Sequence, residues 1–294
     1  MSLFGNYDTP GRGVLKTPHE KKGFFKFWEI YGRHMWKLME LNFLYFLFCL
    51  PLFVMIVMLM ATQSFVWLLL AVPSVIAGPA TAAATRVARN FSQERHAFVG
   101  HDFMKAFKKN LKQGLIMGTV DTVFILWIII GLPIYKIQSE QNSMMYIPFV
   151  ISLACVLLFT LMHFYIYQMM CSTNLNMKQI LKNSMFLVSL GIKESVWTFL
   201  ATFIVVMVMY LFMPYTFILI PIWPLTFIIF VGCFNCYPVI RKHVIQPYYD
   251  QRGETNPELA AYESDPDDAI FEDKAAEEKP VPAARSRTKK KTIK

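Results

Sequence analysis

The chain has 294 residues, of which 55% are hydrophobic and only 17% charged, against roughly 25% charged in an ordinary soluble domain. Its net charge of +9 sits in short Lys/Arg clusters between long apolar runs, a layout that speaks against a nucleic-acid partner and for a lipid bilayer. The runs are about 20 residues each, the length that crosses roughly 30 Å of hydrocarbon as a helix, and they lack the alternation of a β-barrel.

In chain order, residues 1–20 are polar, contain Gly and Pro, and are expected to be flexible. Residues 21–40 place Phe24, Phe27, Trp28, Tyr31, Met35, Leu38 and Met39 at helical spacing between basic residues. That pattern predicts an amphipathic helix with its aromatic face among lipid headgroups. The first span is predicted at about 41–61. It is too long for a signal-peptide core and has no credible small-residue cleavage site, so it should insert the chain itself.

The second span, about 65–85, is unusual in composition, because "PSVIAGPATAAAT" fills its second half. Small residues let helix backbones approach closely where lipid removes the hydrophobic drive to associate. Ser74, Gly78 and Ala82 form one small-residue row, and Ala77, Thr81 and Thr85 form another. Pro73 and Pro79 each remove a backbone donor and predict a kink. A second amphipathic helix is predicted at about 97–113, followed by a third span at about 114–135. There Gly114, Gly118, Asp121, Thr122 and Ile125 share a face, beginning with a GxxxG. Two such faces on consecutive spans predict a tight hairpin packed through Ser74, Gly78, Pro79, Ala82, Gly114 and Gly118.

Asp121 lies about 10 Å beyond Gly114 at 1.5 Å per residue. A carboxylate within a span costs about 2.5–3.5 kcal/mol on insertion scales, so it should face inward toward a partner. Thr81 and Thr85 of span two and His163 of span four are the expected partners, with Thr122 beside it. Two readings stand: a proton- or ion-linked site, or one polar residue holding helices in register or wetted from the inner surface. The lack of a second buried acidic residue favours the structural one.

Span four is predicted at about 145–170, a third amphipathic helix at about 174–192, and spans five and six at about 195–213 and 219–239. Residues 245–294 form an acidic-then-basic tail, with ten acidic residues in 254–278 and six basic ones in 285–294, and are expected to be disordered. Basic residues flank span one on its N-terminal side, fill the loops after spans two and four, and follow span six, whereas 62–64 and 214–218 carry no charge. By the positive-inside rule this predicts six spans with both termini in the cytoplasm. The expected fold is therefore an all-α integral membrane bundle of six transmembrane helices.

Chemistry is sparse. Cys233 and Cys236 form a C-x-x-C without the second ligand pair a metal needs, and read as small packing residues. His96, His101 and Asp102 match no ligand spacing and read as surface polar groups. There is no HExxH, G-x-S-x-G or P-loop. No enzyme activity, cofactor or metal is expected.

Several segments resemble the YesL-like family of bacterial multi-pass membrane proteins, whose domain function is unassigned. The marks are Asn42 and Pro51 in span one, Gly78, Pro79, Ala80 and Ala83 in span two, Phe103, Phe107 and Asn110 before span three, and Leu181, Lys182 and Asn183 later. The resemblance runs over about residues 20–240. It implies a protein of the bacterial plasma membrane whose relatives are often encoded beside genes for carbohydrate uptake and polysaccharide degradation. It supplies no catalytic or ligand residues. The leading expectation is a non-catalytic accessory to carbohydrate uptake, with permease subunits of an ABC transporter as partners. The alternative is a small-solute transporter or channel with Asp121 in its pathway. Oligomeric state is left open.

Overall fold

The computed structural model describes residues 23–254 and residue 256. The segment expected to be flexible, 1–20, and most of the tail lie outside the described residues. Within them every regular element is helical: α1 Gly23–Thr62, α2 Ala71–Ser74, α3 Ala77–Ser92, α4 Val99–Lys109, α5 Leu111–Leu126, α6 Leu132–Gln141, α7 Tyr146–Ser172, α8 Met177–Leu190, α9 Ile192–Leu211, α10 Pro224–Ile240 and α11 Gln246–Arg252. Five helices among the described residues are long and apolar enough to cross a membrane, or six if one bent pair counts as a span. This is an all-helical membrane protein.

α1 differs from the expected amphipathic helix followed by a span. It is one continuous helix of 40 residues, about 60 Å at 1.5 Å per residue, roughly twice the hydrocarbon thickness. Its basic first half therefore projects beyond the apolar layer. The aromatic stripe of that half is also not left to headgroups. Ile30, Tyr31 and Leu38 are buried. Phe27 lies over Tyr31 at 6.0 Å between centroids and meets Phe234 edge-on at 5.3 Å, so α10 covers the stripe instead of lipid. Phe24, Phe25, Trp28 and Trp36 remain exposed for that role.

The second predicted span is broken rather than kinked. A 3₁₀ turn, Phe65–Leu70, leads into α2, and a bend of 46° separates this piece from α3. Pro79 explains the break. It stands at the third residue of α3, in the first turn, where backbone N–H groups have no intrahelical acceptor, so the missing donor starts a helix instead of distorting one. The sixth span likewise begins at Pro224, five residues later than predicted, with proline at the first helical position. Before Pro133, the third span widens into one π-helical turn, Trp127–Gly131, and then runs on as α6.

α3 is the hub. It touches α1, α4, α5, α7 and α10. Alanines 80, 82, 83, 84 and 88 are all but inaccessible, because only residues this small let five neighbours close around one helix. Asn42 joins α1 to the start of α10: its Nδ2 donates to the Ile220 carbonyl at 2.8 Å, and its Oδ1 accepts from the Thr226 N–H at 2.9 Å. That N–H lies in the first turn of α10 and has no acceptor inside the helix. α8 opens with a capping box between Asn176 and Gln179.

Gln246 begins a separate unit. The predicted tail of 245–294 is thus helical over Gln246–Arg252. Contacts one turn apart support this short helix: Gln246 Nε2 donates to Asp250 Oδ1 at 2.8 Å, and the Arg252 guanidinium sits 4.3 Å from the Tyr248 ring centre.

Candidate functional site

The close approach of α3 and α5 sets the site. A Cβ on Gly78 would lie 2.6 Å from the Gly118 nitrogen, and one on Gly114 would lie 2.6 Å from Pro79 Cα, so both positions require glycine. Ser74 Oγ and Thr122 Oγ1 meet at 3.3 Å at one end of this seam. Ala82, toward the other end, is buried with Met117 and receives the Cys171 thiol of α7 on its carbonyl at 2.8 Å. The predicted packing row therefore serves two neighbours: Ser74, Gly78 and Pro79 meet α5 while Ala82 meets α7.

This seam fixes the rotation of α5 and turns Asp121 toward α7. The Tyr167 hydroxyl donates to Asp121 Oδ2. His163 Nε2 lies 3.3 Å from the same oxygen, and the side chains of His163 and Asp121 are 30% and 19% exposed. Phe159 packs on the His163 ring at 5.0 Å, and Tyr167 flanks it at 5.4 Å. His163 is thus the expected partner of Asp121. Thr81 and Thr85 are not: each donates one turn back along α3, to the carbonyls of Ala77 and Thr81, both at 2.7 Å. Thr122 is turned away from Asp121 and donates to the Gly118 carbonyl at 2.8 Å.

What Thr81, Thr85 and His163 do share is a cavity of about 230 Å³, lined also by Tyr45, Tyr167, Gln168 and the apolar side chains of α10. Tyr45 Oη meets Thr81 Oγ1 at 2.7 Å on its wall. Gln168 Nε2 donates to the Phe164 carbonyl at 2.6 Å, which leaves its Oε1 without a partner among the described residues. Asp121 Oδ1 and His163 Nδ1 are buried and unpartnered in the same sense. The cavity wall offers an imidazole and an amide oxygen, and the Asp121 carboxylate stands behind them against His163 and Tyr167, an acceptor-rich group suited to a proton, a small cation or a donor-bearing solute.

Tyr45, Tyr167 and Gln168 escaped the sequence reading. The one available signal was the segment "HFYIYQ" in α7, where four residues able to hydrogen bond interrupt an apolar run and Tyr167 follows His163 by one turn. The other candidates dissolve into structure. Asp102 Oδ2 accepts the Phe98 N–H at 2.9 Å at the start of α4, and His101 rests on Asp102 at 3.3 Å. Cys233 and Cys236 are buried and free, the first facing the Thr85 carbonyl at 3.7 Å and the second Thr198 at 3.5 Å. Among the described residues no three of His, Cys, Asp and Glu gather as a metal would need.

Comparison with known families agrees with this architecture in one segment. Residues 38–132 match the family model described as a protein of unknown function, DUF624. DUF624 is the YesL-like family, so the match over this segment is consistent with the resemblance seen in the sequence. The DUF624 match runs from the last residues of the basic stretch of α1 to the first residue of α6, so it holds Tyr45, the α3–α5 seam and Asp121. It is shorter than the resemblance over 20–240, and His163, Tyr167 and Gln168 lie beyond it. No curated protein and no solved structure matches the chain.

Proposed function

We propose that this protein is a non-catalytic component of a bacterial plasma membrane, with its basic end in the cytoplasm, that moves a small solute through a proton- or cation-linked site at Asp121 and His163. One observation carries the reading. Asp121 Oδ1, His163 Nδ1 and Gln168 Oε1 are buried within the bundle without partners among the described residues, and the side chains of His163 and Gln168 border a common cavity. A carboxylate kept only to hold helices in register would use both oxygens, because an unmet buried acceptor costs about 1–3 kcal/mol. Groups left open inside an apolar layer are what a transient ligand uses.

The test is flux. Purified protein is reconstituted in liposomes containing a pH-sensitive dye, and an inward potential is imposed with potassium and valinomycin. Proton uptake above that of empty vesicles, cut at least tenfold by Asp121→Asn, is the expected result. Equal flux in both proteins would remove Asp121 from any pathway.

A second reading is an accessory to carbohydrate uptake that docks on permease subunits. α4 and α8 favour it, since both are basic and leave apolar side chains exposed: Met104 in the helix of Lys105, Lys108 and Lys109, and Met185, Phe186 and Leu190 in the helix of Lys178 and Lys182. Co-purification from cells grown on complex carbohydrate tests it. Stoichiometric permease would support docking, and recovery of the chain alone would overturn it.

A further inference from the structure

Arg89, in the last turn of α3, has no acceptor for two of its donors. The residue is 5% exposed, and neither Nε nor Nη1 has a hydrogen-bond partner among the described residues. A buried cation left in this state is unfavourable, since its lost hydration is replaced by nothing. Two local contacts do not cure it. The Tyr237 ring lies 5.1 Å from the guanidinium carbon, but a ring takes the flat face of the group and leaves the N–H edge free. The C-terminal end of the α3 dipole favours positive charge there. Yet the Arg89, Asn90 and Phe91 carbonyls accept backbone N–H groups of Gln93, Glu94 and Arg95 rather than the guanidinium.

Other cations stand close by. Arg86, one turn before Arg89, anchors one amine on the Cys171 carbonyl at 3.2 Å. Lys109 is the last residue of α4, which packs against α3. Two packed elements, α3 with Arg86 and Arg89 and α4 with Lys109, thus bring positive charge to the basic end of the bundle.

We propose that Arg89, with Arg86 and Lys109, forms a binding site for a phosphate oxyanion. Phosphate oxygens can accept from both Nε and Nη1 of Arg89, and their charge offsets that of the cluster. The level of the site, where the apolar helices meet the basic loops, admits the phosphate of an anionic lipid headgroup or a soluble phosphate. The proposal does not depend on the reading of Asp121.

The two sources separate in one set of experiments on the full chain in neutral detergent. Native mass spectrometry measures retention of phosphatidylglycerol against phosphatidylcholine, and thermal unfolding is followed with inorganic phosphate against chloride at matched ionic strength. At least a tenfold preference for phosphatidylglycerol, lost in Arg89→Gln and reduced in Arg89→Lys, supports the site with lipid as its source. A rise in Tm with phosphate that follows the same order supports it with a soluble source. Should Arg89→Gln not fold, Arg89→Lys and Arg86→Gln carry the comparison, since both are expected to weaken binding. The proposal is overturned if wild-type protein prefers neither phosphate, or if binding is unchanged in every Arg89 variant that folds.

Discussion

The two ends of this bundle are packed differently, although both are made of apolar helix. Near the basic loops, α5 buries Gly114, Met117, Gly118 and Thr122, and α7 buries the run from Tyr165 to Cys171. Toward the other end, α6 buries none of its residues, and α9 buries only Ser195 and Thr198, both in its first two turns. Composition accounts for the contrast. The packed end holds Gly, Ala, Ser and Thr, which permit backbone approach and interhelical hydrogen bonds, whereas the far end holds Ile, Val, Met and Phe, which lie equally well against lipid tails. Apolarity therefore places these helices in the membrane, while small and polar residues decide which of them touch. The polar cavity sits where the packed end gives way.

The sharpest way to break this comparison is to insert volume at the seam. Gly78→Val puts side-chain atoms onto the Gly118 backbone, where a Cβ already falls 2.6–2.7 Å from N and Cα. A loss of about 3 kcal/mol or more is expected, seen as aggregation on size exclusion and a collapsed melting transition. Ile204→Ala, on the far part of α9 at a residue 61% exposed, should change stability by only about 0.5 kcal/mol. Equal losses would show that the two ends are not distinct.

Next in size is Asn42→Leu. It strips the acceptor from the Thr226 N–H and the donor from the Ile220 carbonyl at a fully buried position, and a loss of about 2 kcal/mol in thermal unfolding is expected. A neutral result would show that the aromatic contacts with α1 and the Thr226 hydroxyl, which donates to the Leu38 carbonyl at 3.0 Å, suffice to hold α10. Tyr167→Phe removes the donor to Asp121 and should destabilise by about 1 kcal/mol, and a gain in stability would mean that the hydroxyl is there for a ligand rather than for the fold.

The smallest effect is a pH dependence at His34, on the basic stretch of α1 before the apolar run. Its pKa is lowered by partial burial, against Phe91 at 4.9 Å, and then by the charges of Lys37, Arg33 and His96, with Glu94 opposing. The folded state thus disfavours the protonated ring. Stability is whole above the ordinary histidine value near 6.5 and declines as pH falls through it toward the lower folded value. A modest drop in Tm between pH 7 and pH 5 that shrinks in His34→Gln is expected. A drop of unchanged size would assign the dependence to other groups.

Much of the site was legible in part. Asp121 stood out because a carboxylate within an apolar run is costly, and His163 because it is a titratable group within another. The threonines misled. A hydroxyl within a helix can satisfy itself on the carbonyl one turn back, as Thr81, Thr85 and Thr122 do, so its presence does not identify a partner on another helix. Tyr45 and Tyr167 gave little signal because tyrosine suits a core, an interfacial belt or a polar site equally well.

By itself the sequence determined the all-helical membrane class, the number of apolar runs and the α3–α5 contact, because hydropathy, length and small-residue spacing are local properties that a bilayer converts directly into spans and close approaches. Only the tertiary structure decided that α3 is the hub, that the second span breaks before Pro79, and that the stripe of Phe27 and Tyr31 faces α10 rather than headgroups. Each of these depends on the rotation and tilt of one helix against several others, and an apolar face reads the same whether protein or lipid covers it.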